Sequence, residues 1–162
     1  MGFELDSKRG VFQHYGVRTV DSKFGGAVDD EIYKIAQWTF NYNDLPTYGA
    51  SNLQHSIPAN ARILSATLEI ITGFTSTSTT TDLTVGLSTA AGGVISADGL
   101  ILATEATQTT IATAGNIIKG VAGGLLNVTI GTTAGEVVVA SSAADLLTGK
   151  ARLIVEYLQK GL

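Results

Sequence analysis

The side chains that could support chemistry are few and scattered. His14 and His55 lie in different segments, with no carboxylate at a ligand-like spacing from either, so a metal site has no support. Asp98 precedes Gly99 as the start of a calcium loop would, but the alternating oxygen ligands of such a loop are missing, and the pair reads as a turn. Asp29, Asp30 and Glu31 are adjacent. In an extended chain neighbours point to opposite faces, a poor arrangement for a general acid and base, so these carboxylates read as a solvated lead-in to a strand. The glycines at Gly92–Gly93 and between Gly120 and Gly124 fit neither dinucleotide nor phosphate-loop spacing, and no Gly-Lys-Ser or Gly-Lys-Thr follows them. The serines have no neighbouring base. The sequence therefore predicts no enzyme, no metal site, no cofactor and no small-molecule ligand.

What the chain must do instead is bounded by its composition. Its 162 residues suffice for one domain with a real core and are too few for two of ordinary size. Apolar residues reach 44% against 15% charged, which excludes intrinsic disorder and leaves few charges to keep a lone monomer dispersed. A net charge of -4 without a Lys/Arg cluster argues against nucleic acid as a partner. The absence of cysteine removes disulfides and thiolate metal sites. Met1 to Gly10 carries Glu4, Asp6, Lys8 and Arg9 and so lacks the apolar stretch of a secretory signal, and no apolar run approaches the length of a spanning helix. No membrane partner is expected, and the chain reads as made and used in solution.

Two halves differ in chemistry. Nine of the aromatic residues precede residue 50, leaving Phe74 and Tyr157, and between Ile63 and Gly149 the one basic residue is Lys119. Residues 1–30 mix glycines with scattered aromatics and show no sustained period, so they cannot build a core by themselves. They are expected to form an extended N-terminal arm that orders on another surface, followed by a domain over residues 31–162.

The domain reads as short strands between turns. Glu31 to Phe40 could turn Ile32, Ala36, Trp38 and Phe40 toward a core. Leu64, Ala66, Leu68 and Ile70 alternate with Ser65, Thr67 and Glu69, and Leu83, Val85 and Leu87 repeat the pattern against Thr84, Gly86 and Ser88. Leu126, Val128 and Ile130 predict a further strand, Val137 to Val139 another, and Ala151, Leu153, Val155 and Tyr157 the last. That last strand is apolar on much of both faces, which suits a central or interface position, because an exposed apolar edge invites uncontrolled pairing. Turn formers separate the strands: the Thr/Ser run from Thr75 to Thr81, Gly92–Gly93, Asp98–Gly99, Gly123–Gly124 and Thr132 to Gly135. Residues 104–114 show no strong period and read as a loop with a short helix; Trp38 is expected in the core and Phe74 at a loop end. The spacing predicts an all-β sandwich.

Several segments also carry a resemblance: Asn43-Asp44-Leu45-Pro46, Ser56-Ile57-Pro58-Ala59-Asn60-Ala61-Arg62-Ile63-Leu64, Leu83-Thr84-Val85-Gly86-Leu87, Ser96-Ala97-Asp98-Gly99-Leu100-Ile101, and the closing Thr148-Gly149-Lys150-Ala151-Arg152-Leu153-Ile154-Val155-Glu156-Tyr157. Over residues 44 to 158 the chain resembles the capsid cement or decoration proteins of tailed bacteriophages. The resemblance implies a jelly-roll-like antiparallel β-sandwich, often trimeric, bound to the exterior of the head of a virion after synthesis in the host cytoplasm. Its implied partner is the major capsid protein, and it supplies no catalytic residue.

The sequence adds to that expectation in two places. Pro58, just before a long strand, sits where its missing donor does no harm. Phe12, Tyr15 and Phe24 are candidate arm anchors, since rings bury large areas with few rotors to freeze, and Arg18 and Arg62 are candidate interface cations. The rival expectation is a head-fibre base or a tail fibre or knob with a carbohydrate-binding role, in which the Thr/Ser run at residues 75–81 forms part of a sugar site. It suffers from a shortage of rings, Phe74 being the one aromatic near those loops.

Overall fold

Alternating apolar and polar residues become strands when one face can be buried. The computed structural model describes residues 31–45 and 50–160. Their strands are β1 (Glu31–Asn41), β2 (Ala50–Ile57), β3 (Arg62–Ser76), β4 (Leu83–Ser88), β5 (Val94–Ile101), β6 (Ile117–Lys119), β7 (Gly135–Ser141) and β8 (Leu146–Lys160). A 3-10 turn at Tyr42–Asp44 follows β1, and one helical turn, α1 (Gln108–Ile111), sits within the stretch read as a loop with a short helix.

Every pairing is antiparallel, and four of the pairs are nested: β1 with β8, β2 with β7, β3 with β6, β4 with β5. Two further pairings, β3 with β8 and β4 with β7, join these into two four-stranded sheets, ordered β1-β8-β3-β6 and β2-β7-β4-β5. A long hairpin of four strand pairs, rolled so that it packs on itself, is a jelly roll. The all-β, jelly-roll sandwich expected from the sequence is the observed fold.

The core lies between the sheets. Phe40, Ile63, Leu68, Ile70, Phe74 and Leu153 from the first sheet meet Ile57, Leu83, Val85, Leu87, Val137 and Val139 from the second, all at most 2% exposed. Each such side chain contributes roughly 1.5–3 kcal/mol over its exposed state. The predicted alternation holds along β8, which is central, between β1 and β3; along β4 the predicted core residues Leu83, Val85 and Leu87 are buried, but so are Gly86 and Ser88 on the other face. Trp38 is in the core at 8% exposure. Pro58 lies between β2 and β3, and its carbonyl accepts from Ala61 N–H at 3.2 Å to close the turn.

Five local expectations need correction. Leu64 is not on the core face: Ile63 pairs with Tyr157 and Ser65 with Glu156, so Leu64 is the extra residue of a bulge and Ile63 takes the buried place. Ile32 keeps the predicted side of β1 but is 41% exposed, too far along the strand for the facing sheet to cover. Phe74 is not at a loop end. The strand runs on to Ser76, and the Phe74 ring is fully buried, its centroid 6.3 Å from that of Phe40. Asp98–Gly99 is not a turn between strands but part of β5, at a register shift where Val85 faces Ile101 while Leu87 faces Ser96. Finally, Leu126, Val128 and Ile130 do not form a strand. Asn127 has φ 61° and turns close from Leu126 to Gly123 and from Val128 to Leu125, so the segment follows β3 with a single bridge, Arg62 to Thr129, and of the three only Ile130 is buried.

Candidate functional site

Among the described residues, the outward face of the first sheet carries several large exposed side chains beside charged ones. On β1 the residues between the core positions point outward, and register sets Tyr33 beside Leu158, Ile35 beside Glu156 and Gln37 beside Ile154. On the other flank of β8, Arg62 pairs with Leu158, Ser65 with Glu156 and Glu69 with Arg152; β6 adds Ile117 beside Glu69 and Lys119 beside Thr67. Among these, Tyr33, Ile35 and Ile117 are 50%, 58% and 64% exposed, and Ile71 further along β3 is 43% exposed.

Polar groups pin this apolar face. Ser65 Oγ donates to Glu156 at 2.7 Å, and the Tyr33 hydroxyl donates to the same carboxylate. These two hydrogen bonds, with the nearby Lys119 ammonium, hold the Glu156 carboxyl below the usual carboxylate range against a smaller opposing effect of burial. The same bond to Glu156, then burial and the negative charge of that carboxylate, raises the Tyr33 phenol above its ordinary value. One row away, Arg152 forms an ion pair with Glu69, its Nε donating at 2.8 Å. Cross-strand bonds of this kind fix rotamers, so the exposed isoleucines stand among polar groups that are held in place.

Arg62, the one predicted contact residue within the described chain, opens β3 at the corner of this face with its side chain exposed. The register places it in the same row as Leu158 and Tyr33. Phe12, Tyr15, Arg18 and Phe24 lie outside the described residues. Sequence reasoning did not single out Tyr33, Ile35 or Ile117. The signal was present in Ile32-Tyr33-Lys34-Ile35, apolar on both faces, as in the last strand. Among the described residues no group of three or more His, Cys, Asp or Glu side chains is placed to hold a metal, and no helix is long and apolar enough to cross a membrane.

A second polar cluster ties loops together. Glu105, between β5 and β6, accepts from the backbone N–H groups of Leu102 at 2.9 Å, Val121 at 2.7 Å and Ala122 at 3.0 Å. Burial pushes its carboxyl upward, but the three donors together outweigh it and the group lies below its ordinary value.

No family model matches the chain, and no curated protein does. Among solved structures the fold is similar to that of a chain in the capsid of Ralstonia phage GP4, with a TM-score of 0.55 and 22% identity over 80% of this chain and 86% of that one. It is similar to a chain of the cyanophage Pam1 capsid asymmetric unit, with a TM-score of 0.54 and 22% identity over 88% and 96%. A chain in the acidic stable capsid structure of Helicobacter pylori bacteriophage KHP30 gives a TM-score of 0.54 and 18% identity over 79% and 88%. The chain thus has a fold that occurs in the capsids of three bacteriophages.

Proposed function

We propose that this protein is a structural component of a phage virion that binds the outside of the head as a cement or decoration protein. One observation carries the reading: the likeness extends over 86–96% of chains found in three phage capsids, so those capsids hold chains that are little more than this sandwich. The outward face of β1-β8-β3-β6 supports it, since Tyr33 and Ile35 stand exposed in the rows next to Arg62, with Ile117 exposed at the other end of the same face, where a neighbouring subunit could cover them. The major capsid protein is the proposed partner, and the protein is not an enzyme in this reading.

The arm over residues 1–30 and a trimeric sandwich over residues 31–162 complete the proposal. Phe12, Tyr15 and Phe24 act as anchors, with Arg18 and Arg62 as cations at the contact. Three arms on one trimer make the second and third attachments intramolecular, so modest contacts sum to slow release. The test is to delete residues 1–28 and mix the remainder with heads lacking the native protein, alongside the full chain. The full chain should decorate the heads and the truncated chain should not. Undiminished decoration by the truncated chain overturns the arm, and failure of the full chain overturns the capsid role. Mass photometry of the purified chain checks the trimer.

A further inference from the structure

Much of the Thr/Ser run at residues 75–81 is engaged in hydrogen bonds of its own. Ser76 and Thr81 bond each other at 2.8 Å, Ser78 and Thr80 at 3.1 Å, and Thr75 bonds Thr148 at 2.8 Å. Phe74, the ring nearest in sequence, is sealed in the core. The topology nevertheless delivers a different ring to the same end of the sandwich. β1 ends beside the start of β8, with Asn41 opposite Lys150, and β3 flanks β8 there, with Thr72 opposite Lys150. Just beyond Asn41 stands Tyr42, 38% exposed.

Tyr42 is held firmly. Asp44 Oδ2 accepts from the Asn41 backbone N–H at 2.7 Å and from Asn41 Nδ2 at 3.2 Å, and Leu45 N–H donates to the Tyr42 carbonyl at 3.3 Å. Tyr42 lines two hollows. One, of about 350 Å³, is walled by Tyr42, Asn43, Asp145 and the half-exposed Leu147. The other, of about 420 Å³, is walled by Tyr42, Asn43, Thr72 and Lys150. Both fall at the small end of the range for ligand clefts, about 300–1,000 Å³.

The chemistry of the walls selects a class of ligand. An exposed ring beside Leu45, Leu146 and Leu147 offers a flat apolar face for the C–H side of a pyranose, and the amide and hydroxyl groups of Asn41, Asn43, Thr72 and Ser141 can exchange hydrogen bonds with sugar hydroxyls. Asp145 walls one hollow and Lys150 the other, with Asp44 in the turn that carries Tyr42, so there is no excess of positive charge, which disfavours phosphates and other anions. Gly149, at φ 132°, lets the chain pass directly over Phe74, where a Cβ would strike the ring; this brings Thr148 and Lys150 to the surface at the hollow's edge. We infer that the paired hollows around Tyr42 form a binding site for a neutral saccharide, one sugar ring to each hollow. This goes beyond the capsid role, does not rest on it, and departs from the expectation that the chain takes no small ligand.

The experiment is saturation-transfer NMR on the purified full chain with methyl glycosides of glucose, galactose, mannose, rhamnose and N-acetylglucosamine as probes. At least one should bind with a dissociation constant on the order of 1 mM, as suits an open site with one platform. Tyr42→Ala should weaken that binding roughly tenfold or more, and Tyr42→Phe should retain most of it, because the stacking face remains. Thr72→Ala and Asn43→Ala, read in parallel, should each weaken binding, and they serve if the Tyr42→Ala chain fails to fold. No transfer to any probe, or transfer that survives Tyr42→Ala in a folded chain, overturns the site. Decoration of heads is a separate assay, so loss of one activity is distinguishable from loss of the other.

Discussion

The two sheets share a core but differ in what they turn outward. The first presents Tyr33, Ile35, Ile117 and the Glu69–Arg152 pair. The second, along β4 and β7, turns Thr84, Gly86, Ser88, Glu136 and Val138 away from the core, yet Gly86, Ser88 and Val138 are buried. Its own chain covers it, since the β5 backbone at Ser96 and Ala97 lies so close to Gly86 that a Cβ there would collide with it. Small residues thus mark the face closed by the molecule itself, and large ones the face left for something else. An apolar side chain in the open is informative only once register shows which face it shares.

That contrast can be broken from either side. Gly86→Ala should be the most damaging change, destabilising by roughly 3 kcal/mol because backbone cannot yield as a flexible side chain can, and thermal unfolding would show it. A Gly86→Ala chain as stable as the parent would mean that the second face is not closed. Glu105→Gln should cost about 1–2 kcal/mol, discounted for the partial exposure of the carboxylate. The sign of its pH dependence follows from the depressed carboxyl. The stabilisation is complete above the ordinary carboxylate value and is lost as pH falls through the lower folded value, so the parent should lose stability there while Glu105→Gln loses less. Arg152→Ala should cost at most about 1 kcal/mol, as the pair is about one-third exposed on each side, and the loss should shrink at high salt. Ile35→Ser and Ile117→Ser should move unfolding least, within about 0.5 kcal/mol, while reducing decoration of heads. Unaltered decoration by both would take the first sheet's outer face out of the proposed interface.

How far the sequence could be read depended on whether local pattern and tertiary closure agreed. The alternation in Ala151 to Tyr157 predicted a strand, and its two apolar faces a central or interface position, of which the structure shows the central one. Leu64 misled because alternation is a local rule and a bulge resets it by one residue. Asp98–Gly99 misled because the small size that makes glycine a turn former also lets β5 pass closely over its neighbours: a Cβ on Gly99 would strike the Leu125 side chain. Leu126, Val128 and Ile130 had the right period, but the αL backbone of Asn127 between them could not be seen from residue types alone. The ring at Tyr42 went unremarked for a third reason. Its setting is made by residues about 30 and 105 positions away in sequence, and only the β1–β8–β3 register brings them together.

The position of β8 has a consequence for how the molecule comes into being. Among the described strands it is the last in sequence and yet the middle partner of β1 and β3, so until residues 146–160 have been translated β1 lacks its partner in the sheet and β3 has only the short β6. At about 5–20 residues per second, β1 waits on the order of ten seconds with an apolar flank uncovered, longer than the milliseconds to seconds in which such topologies fold once complete. The first sheet therefore closes only after the second has been made, and nascent chains crowded on one message have that interval in which to pair with each other instead.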